Sequence, residues 1–73
     1  MKIKTNREKT KELTEREKTI IKYIAHGWKD EDISKELGCA AITIRQSVSR
    51  ILKKTNVINR PALIFWACTN NQV

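Results

Sequence analysis

The 73 residues carry 15 Lys and Arg against 8 Asp and Glu, a net charge of +7, and 40% of the chain is apolar. Such a length makes one domain with a small core, for which dimerisation is one way to bury more surface, and the basic excess suggests a polyanionic partner. One histidine, no paired carboxylates on a shared face and no glycine-rich phosphate loop leave no catalytic constellation, so neither enzyme activity nor a cofactor is expected.

Residues 1–12, MKIKTNREKTKE, lack apolar periodicity and read as a basic, flexible N-terminal arm rather than a signal peptide. Leu13-Thr14-Glu15-Arg16-Glu17 is a helix start in which Thr14 and Glu17 can form a capping box. Ile20, Ile21, Ile24, Ala25 and Trp28 then recur at helical spacing, which predicts a first helix from about Glu15 to His26, stopped by Gly27. Trp28 reads as a core lid. Asp30 is an N-cap candidate for a second helix that carries Ile33 and Leu37 inward and ends at Gly38. A third helix is predicted from about Ala41 to Lys54, with Ala41, Ile44, Val48, Ile51 and Leu52 on one face. Asn59 caps a fourth, with Pro61 in its first turn and its end near Thr69; residues 70–73 are left as a tail. The expectation is an all-α fold of four helices, with the domain proper over residues 13–69.

Charge is divided sharply between the two middle helices. Asp30, Glu31, Asp32 and Glu36 make the second acidic, whereas residues 38–60 hold no acid and five bases, Arg45, Arg50, Lys53, Lys54 and Arg60. Two short helices joined at a glycine, with only the second cleared of negative charge, fit a helix-turn-helix that lays one helix on phosphate-lined double-stranded DNA. Cys39 and Cys68 show no metal-ligand spacing; both read as small buried hydrophobes of a reducing cytoplasm, with no zinc site. The longest apolar run, Ala62–Cys68, is too short to span a bilayer, so no membrane association is expected.

The ordered set Leu13-Thr14-Glu15-Arg16-Glu17, Ile24-Ala25 with Gly27, Ile33, Leu37, Thr43-Ile44-Arg45, Ile51-Leu52-Lys53-Lys54, Val57, Asn59-Arg60 and Ala67 resembles the LuxR/GerE-type helix-turn-helix domain. The resemblance covers residues 13–67. It implies a transcriptional regulator whose third helix enters the major groove and whose fourth makes a two-fold dimer. The DNA-contacting lysine of the family's T-V-K motif corresponds to Arg45, and Gln46 and Ser49 match further DNA-facing positions. The absence of a receiver or ligand-binding domain is similar to the small, stand-alone GerE type. Two positions depart from the pattern. Ala40 stands where the family has a capping serine or threonine, and Ser47 stands where a histidine often meets the DNA backbone.

On a helical wheel Ile42, Gln46, Ser49 and Lys53 lie opposite the core face, with Arg45 and Arg50 flanking them. Ile42 can pack on a thymine methyl, Arg45 can bond guanine or phosphate, and Gln46 can pair with adenine; Ser49 completes the base-facing set. Thr43, Arg50, Lys53, Lys54 and Arg60 are assigned to the DNA backbone, although Lys54 also reads as an ordinary solvated lysine. In the fourth helix Leu63, Ile64 and Ala67 match inward positions, while Ala62, Phe65, Trp66 and Thr69 form a second stripe suited to a homodimer interface. The alternative for Trp66 is to fold over its own core. Two rival functions remain. One is a fragment like region 4 of a sigma factor; the other is an interaction module that binds RNA polymerase or another regulatory protein.

Overall fold

The structure is a computed structural model that describes residues 13–70 as four helices: α1 (Glu15–Ala25), α2 (Asp30–Leu37), α3 (Ala41–Thr55) and α4 (Arg60–Thr69). No strand occurs among the described residues, and the all-α expectation holds. The expected basic arm over 1–12 lies outside the described residues, as do 71–73. Helix α4 ends at Thr69 as expected, and Asn70 is its C-cap, with its side-chain amide donating to the Trp66 carbonyl at 2.8 Å.

Each helix boundary has a local cause. At the start of α1 the Glu17 N–H donates to Thr14 Oγ1 at 3.1 Å, and the Thr14 N–H donates back to Glu17 Oε1 at 2.9 Å, which completes the expected capping box. Gly27 at φ +87° turns the chain out of α1, and Gly38 at φ +71° ends α2. Asp30 does not cap α2 as expected. It is the first helical residue, Lys29 occupies the cap position in extended conformation, and Asp32 Oδ2 accepts from the Lys29 N–H at 3.3 Å. The Asp30 carboxylate is turned instead toward two arginines. Helix α3 runs one residue further than predicted and stops at Asn56, which adopts the left-handed φ of 59°. In α4 Asn59 Oδ1 accepts from the Ala62 N–H at 2.9 Å, as the sequence suggests.

The helices bury a common core. Ile20, Ile21 and Ile24 come from α1, Ile33 from α2, Ile44, Val48 and Ile51 from α3, and Leu63, Trp66 and Ala67 from α4; Leu13 closes the end. Helix α1 packs on α3 and α4, and α2 packs mainly on α3, with Asp30 reaching Arg60 at the head of α4. Six of these side chains, Ile20, Ile21, Ile33, Ile44, Ile51 and Leu63, are fully buried. Each contributes about 1.5–3 kcal/mol relative to an exposed position. Trp28 is half-buried against the core and stacks on Tyr23 with ring centroids 4.2 Å apart.

Two expectations about side-chain placement are corrected. Cys39 is half-buried, but Cys68 is exposed on α4 rather than a buried hydrophobe. Trp66 leaves the proposed outer stripe and joins the core, 5% exposed, which is the alternative placement over its own core. Its indole Nε1 is buried without a hydrogen-bond partner.

Candidate nucleic-acid interface

Packing of Ile44, Val48 and Ile51 inward fixes what α3 shows outward. Ile42, Arg45, Gln46, Ser49, Arg50 and Lys53 are all exposed on that helix, whereas Thr43 is half-buried at the margin. Ile42 leaves 54% of its surface exposed, an unusual position for an isoleucine unless something covers it. Ser47 is buried on the inner edge, and so does not occupy a surface position. Ala40 is the N-cap of α3 and offers no side-chain acceptor, so the Thr43 N–H donates to the Ala40 carbonyl at 3.0 Å instead of to a cap side chain.

The five bases of residues 38–60 divide into three kinds. Arg50 and Lys53 make no ion pair with any described residue. Arg45 and Arg60 share Asp30: Arg60 Nη1 lies 2.6 Å from Oδ1 and Arg45 Nε lies 3.5 Å from Oδ2. Lys54 is half-buried; its ammonium donates to Glu17 Oε1 at 2.8 Å and ties the end of α3 to the start of α1. Burial of the Glu17 carboxyl raises its pKa, but the hydrogen bond from Lys54, the Thr14 backbone N–H and the nearby ammonium charge together outweigh that and hold it below the ordinary carboxylate value.

The structure therefore brings Ile42, Arg45, Gln46, Ser49, Arg50 and Lys53 onto one face and sets Lys54 apart from them. Arg60 stands at the head of α4, beside Asp30. Sequence reasoning missed both ion-pair systems, since the partners lie 30 and 37 residues apart and no local pattern links them. It also passed over Ile58, which is 87% exposed between α3 and α4. An isoleucine flanked by Val57 and Asn59 in a polar connection was the available signal. On α4 Ala62 is half-buried, while Phe65 and Thr69 are exposed, Phe65 at 72%.

An acidic two-turn helix, a glycine turn and a longer helix with an acid-free outer face define a helix-turn-helix domain. The family model described as bacterial regulatory proteins, luxR family, matches residues 11–67, and the chain belongs to that family. Among curated relatives, the probable transcriptional regulator ycf29 of Pyropia yezoensis is 37% identical over 59 residues, which are 81% of this chain and 27% of that protein. The uncharacterized transcriptional regulatory protein YxjL of Bacillus subtilis is 33% identical over 61 residues, 84% of this chain and 28% of the relative. The transcriptional regulatory protein DesR of the same organism is 40% identical over 48 residues, 66% of this chain and 24% of the relative. The chain thus spans about a quarter of the length of these relatives. No solved structure matches it. Among the described residues, no helix is long and apolar enough to cross a membrane.

Proposed function

We propose that the chain is a transcriptional regulator of the cytoplasm that binds double-stranded DNA sequence-specifically as a homodimer, with α3 in the major groove. The observation that carries this reading is the exposed, acid-free face of α3, where an apolar Ile42, the amide Gln46 and the bases Arg45, Arg50 and Lys53 stand side by side. The major groove admits one α-helix and offers distinct donor, acceptor and methyl patterns to such residues. Ile42, Arg45, Gln46 and Ser49 are the base readers in this proposal; Thr43, Arg50 and Lys53 meet the backbone. Arg60 and Lys54 have structural partners in the free protein, so their share in phosphate binding is smaller. The relatives named as transcriptional regulators support the same reading.

The homodimer is supported by apolar surface on and beside α4. On α4 Ala62, Phe65 and Thr69 follow at spacings of three and four residues while Trp66 drops out of the expected stripe, and Ile58, in the connection before the extended cap Asn59, adds a further exposed apolar side chain. Two such stripes about a two-fold axis would cover Ile58 and Phe65 and set the paired α3 helices about one helical turn of DNA apart. Phe65→Glu is expected to shift the protein to a monomer in sedimentation and to weaken binding to a two-fold site. A dimer that persists unchanged would sink this interface.

The reading as a whole is tested by incubating the protein with random 30-base-pair duplexes and sequencing what it retains. An enriched motif with two-fold symmetry is expected. Failure to retain any duplex at low salt would overturn the reading and favour a module that binds RNA polymerase or another regulatory protein.

A further inference from the structure

Asp30 differs from the other acids of α2. Glu31 and Asp32 are exposed, whereas Asp30 keeps only 13% of its side-chain surface and lies against both α3 and α4. Each of its carboxylate oxygens has its own guanidinium, and the two contacts are unlike. Oδ1 accepts from Arg60 Nη1 at 2.6 Å, a short bond to the first residue of α4. Oδ2 faces Arg45 Nε at 3.5 Å, and Arg45 remains 54% exposed on the proposed DNA-facing side. The first contact is suited to holding helices together. The second restrains a side chain that is more than half exposed.

Which nitrogen is engaged matters. A guanidinium carries five N–H donors in a planar fork, and a carboxylate at Nε leaves the terminal nitrogens Nη1 and Nη2 available. Those two form the end-on pair that the O6 and N7 acceptors of guanine can receive. A carboxylate close by also repels phosphate and opposes the transfer of Arg45 to a phosphate oxygen. A negative charge beside a reading arginine thus disfavours contacts made to any duplex, and leaves the contact to a base.

We propose that Asp30 is a positioning residue that sets specificity: its charge, 3.5 Å from Arg45 Nε, favours presenting the terminal nitrogens to guanine and suppresses pairing of Arg45 with phosphates of unrelated sequences. This rests on the reading of α3 as the recognition helix. The change Asp30→Asn keeps the size and leaves an oxygen acceptor for Arg60 while removing the charge.

The test compares wild type and Asp30→Asn on random 30-base-pair duplex and on the duplex enriched by wild type, over a series of salt concentrations. On random duplex the variant is expected to bind about fivefold tighter near 0.1 M salt, the effect of about one unit charge a few ångströms from phosphate. Its slope of log affinity against log salt should steepen by about 0.9, one added phosphate contact. The ratio of enriched to random affinity should fall. In an Arg45→Lys background, where Nε and the fork are gone, Asp30→Asn should leave that ratio nearly unchanged.

A purely structural role would lower the melting temperature and weaken both duplexes alike, with ratio and slope as in wild type; that result overturns the proposal. Asp30→Ser, also compatible with a helix start, repeats the measurement if Asp30→Asn does not fold, and failure of both to fold overturns it too. Wild-type protein that retains no duplex would remove the reading of α3 itself. A wild type that enriches a motif, beside a variant of equal ratio, removes only the role of Asp30.

Discussion

Helix α2 has three acids in its first turn and a backbone-to-carboxylate bond from Lys29 to Asp32 at its start. Helix α3 has no acid in its first turn and an alanine in the cap position. Both bury isoleucine against the same core, Ile33 from one and Ile44 and Ile51 from the other. The inward sides are therefore alike and the ends and outward sides are opposite. Acids suit the positive end of the α2 dipole and settle that helix in place. The same acids on α3 would repel phosphate, and a first turn with neither acid nor side-chain cap sets no competing oxygen beside an external anion. Local stability has been given to the helix that supports, and withheld from the helix proposed to read.

The comparison is most sharply tested within α3, at two isoleucines two positions apart. Ile44→Ala removes a fully buried side chain and is expected to cost about 2–5 kcal/mol in urea unfolding, enough to unfold much of so small a domain. Ile42→Ala, on the exposed face, should stay within about 0.5 kcal/mol of wild type in the same experiment. Similar losses at both positions would show that the outward face is packed after all.

Next in size is Gln46→Ala, expected to relax base preference at a cost of about 1–3 kcal/mol on the best site while leaving random duplex unaffected. Equal loss on all duplexes would remove Gln46 from the base readers. Ala40→Ser supplies the missing acceptor at the start of α3 and should stabilise the fold by about 1 kcal/mol in thermal unfolding, making α3 as well capped as α4. No gain would mean that the Ala40 carbonyl, which accepts from the Thr43 N–H at 3.0 Å, already serves that turn as well as a hydroxyl would.

The smallest contrast is between neighbouring lysines. Lys53→Ala should flatten the salt slope by about 0.9 with little change in stability. Lys54→Met should leave the slope nearly unchanged but weaken the fold, because it removes the partner of Glu17. The pH dependence of that pair follows from its direction. The folded protein holds the Glu17 pKa below its unfolded value, so its stabilisation is present above the ordinary carboxylate range and is lost as pH falls through the lower, folded value. Glu17→Gln should therefore show a shallower loss of stability on acidification than wild type; parallel acid profiles would show that the pair contributes nothing.

What was legible in the sequence were features with a fixed local spacing. Thr14 and Glu17 are three apart, and the capping box formed as read. Gly27 and Gly38 stop their helices by positive φ, and the 3.6-residue period put Ile44, Val48 and Ile51 inward and Ile42 and Gln46 outward. Spacing carries no information where nearly every residue is apolar, as in α4. There Phe65 and Trp66 are neighbours of similar hydrophobicity, and only the shape of the surrounding core places one outside and the other within. The pairs Glu17–Lys54 and Asp30 with Arg45 and Arg60 are tertiary contacts between helices, so the charge map located the basic surface without showing which bases were already engaged. Asn56 was missed for a different reason: its stop signal is local, but weaker than that of a glycine.

The two tryptophans give the domain separate optical reporters. Trp66 sits in the core with its indole N–H unpaired, surroundings that cannot relax around an excited indole and that keep its emission toward the blue. Trp28 lies half-exposed at the junction of α1 and α2, stacked on a tyrosine. With Trp28→Phe the remaining emission follows the core alone, and with Trp66→Phe it follows the junction alone. Opening of the helix-turn-helix can thus be distinguished by colour from melting of the whole domain, without attaching any dye.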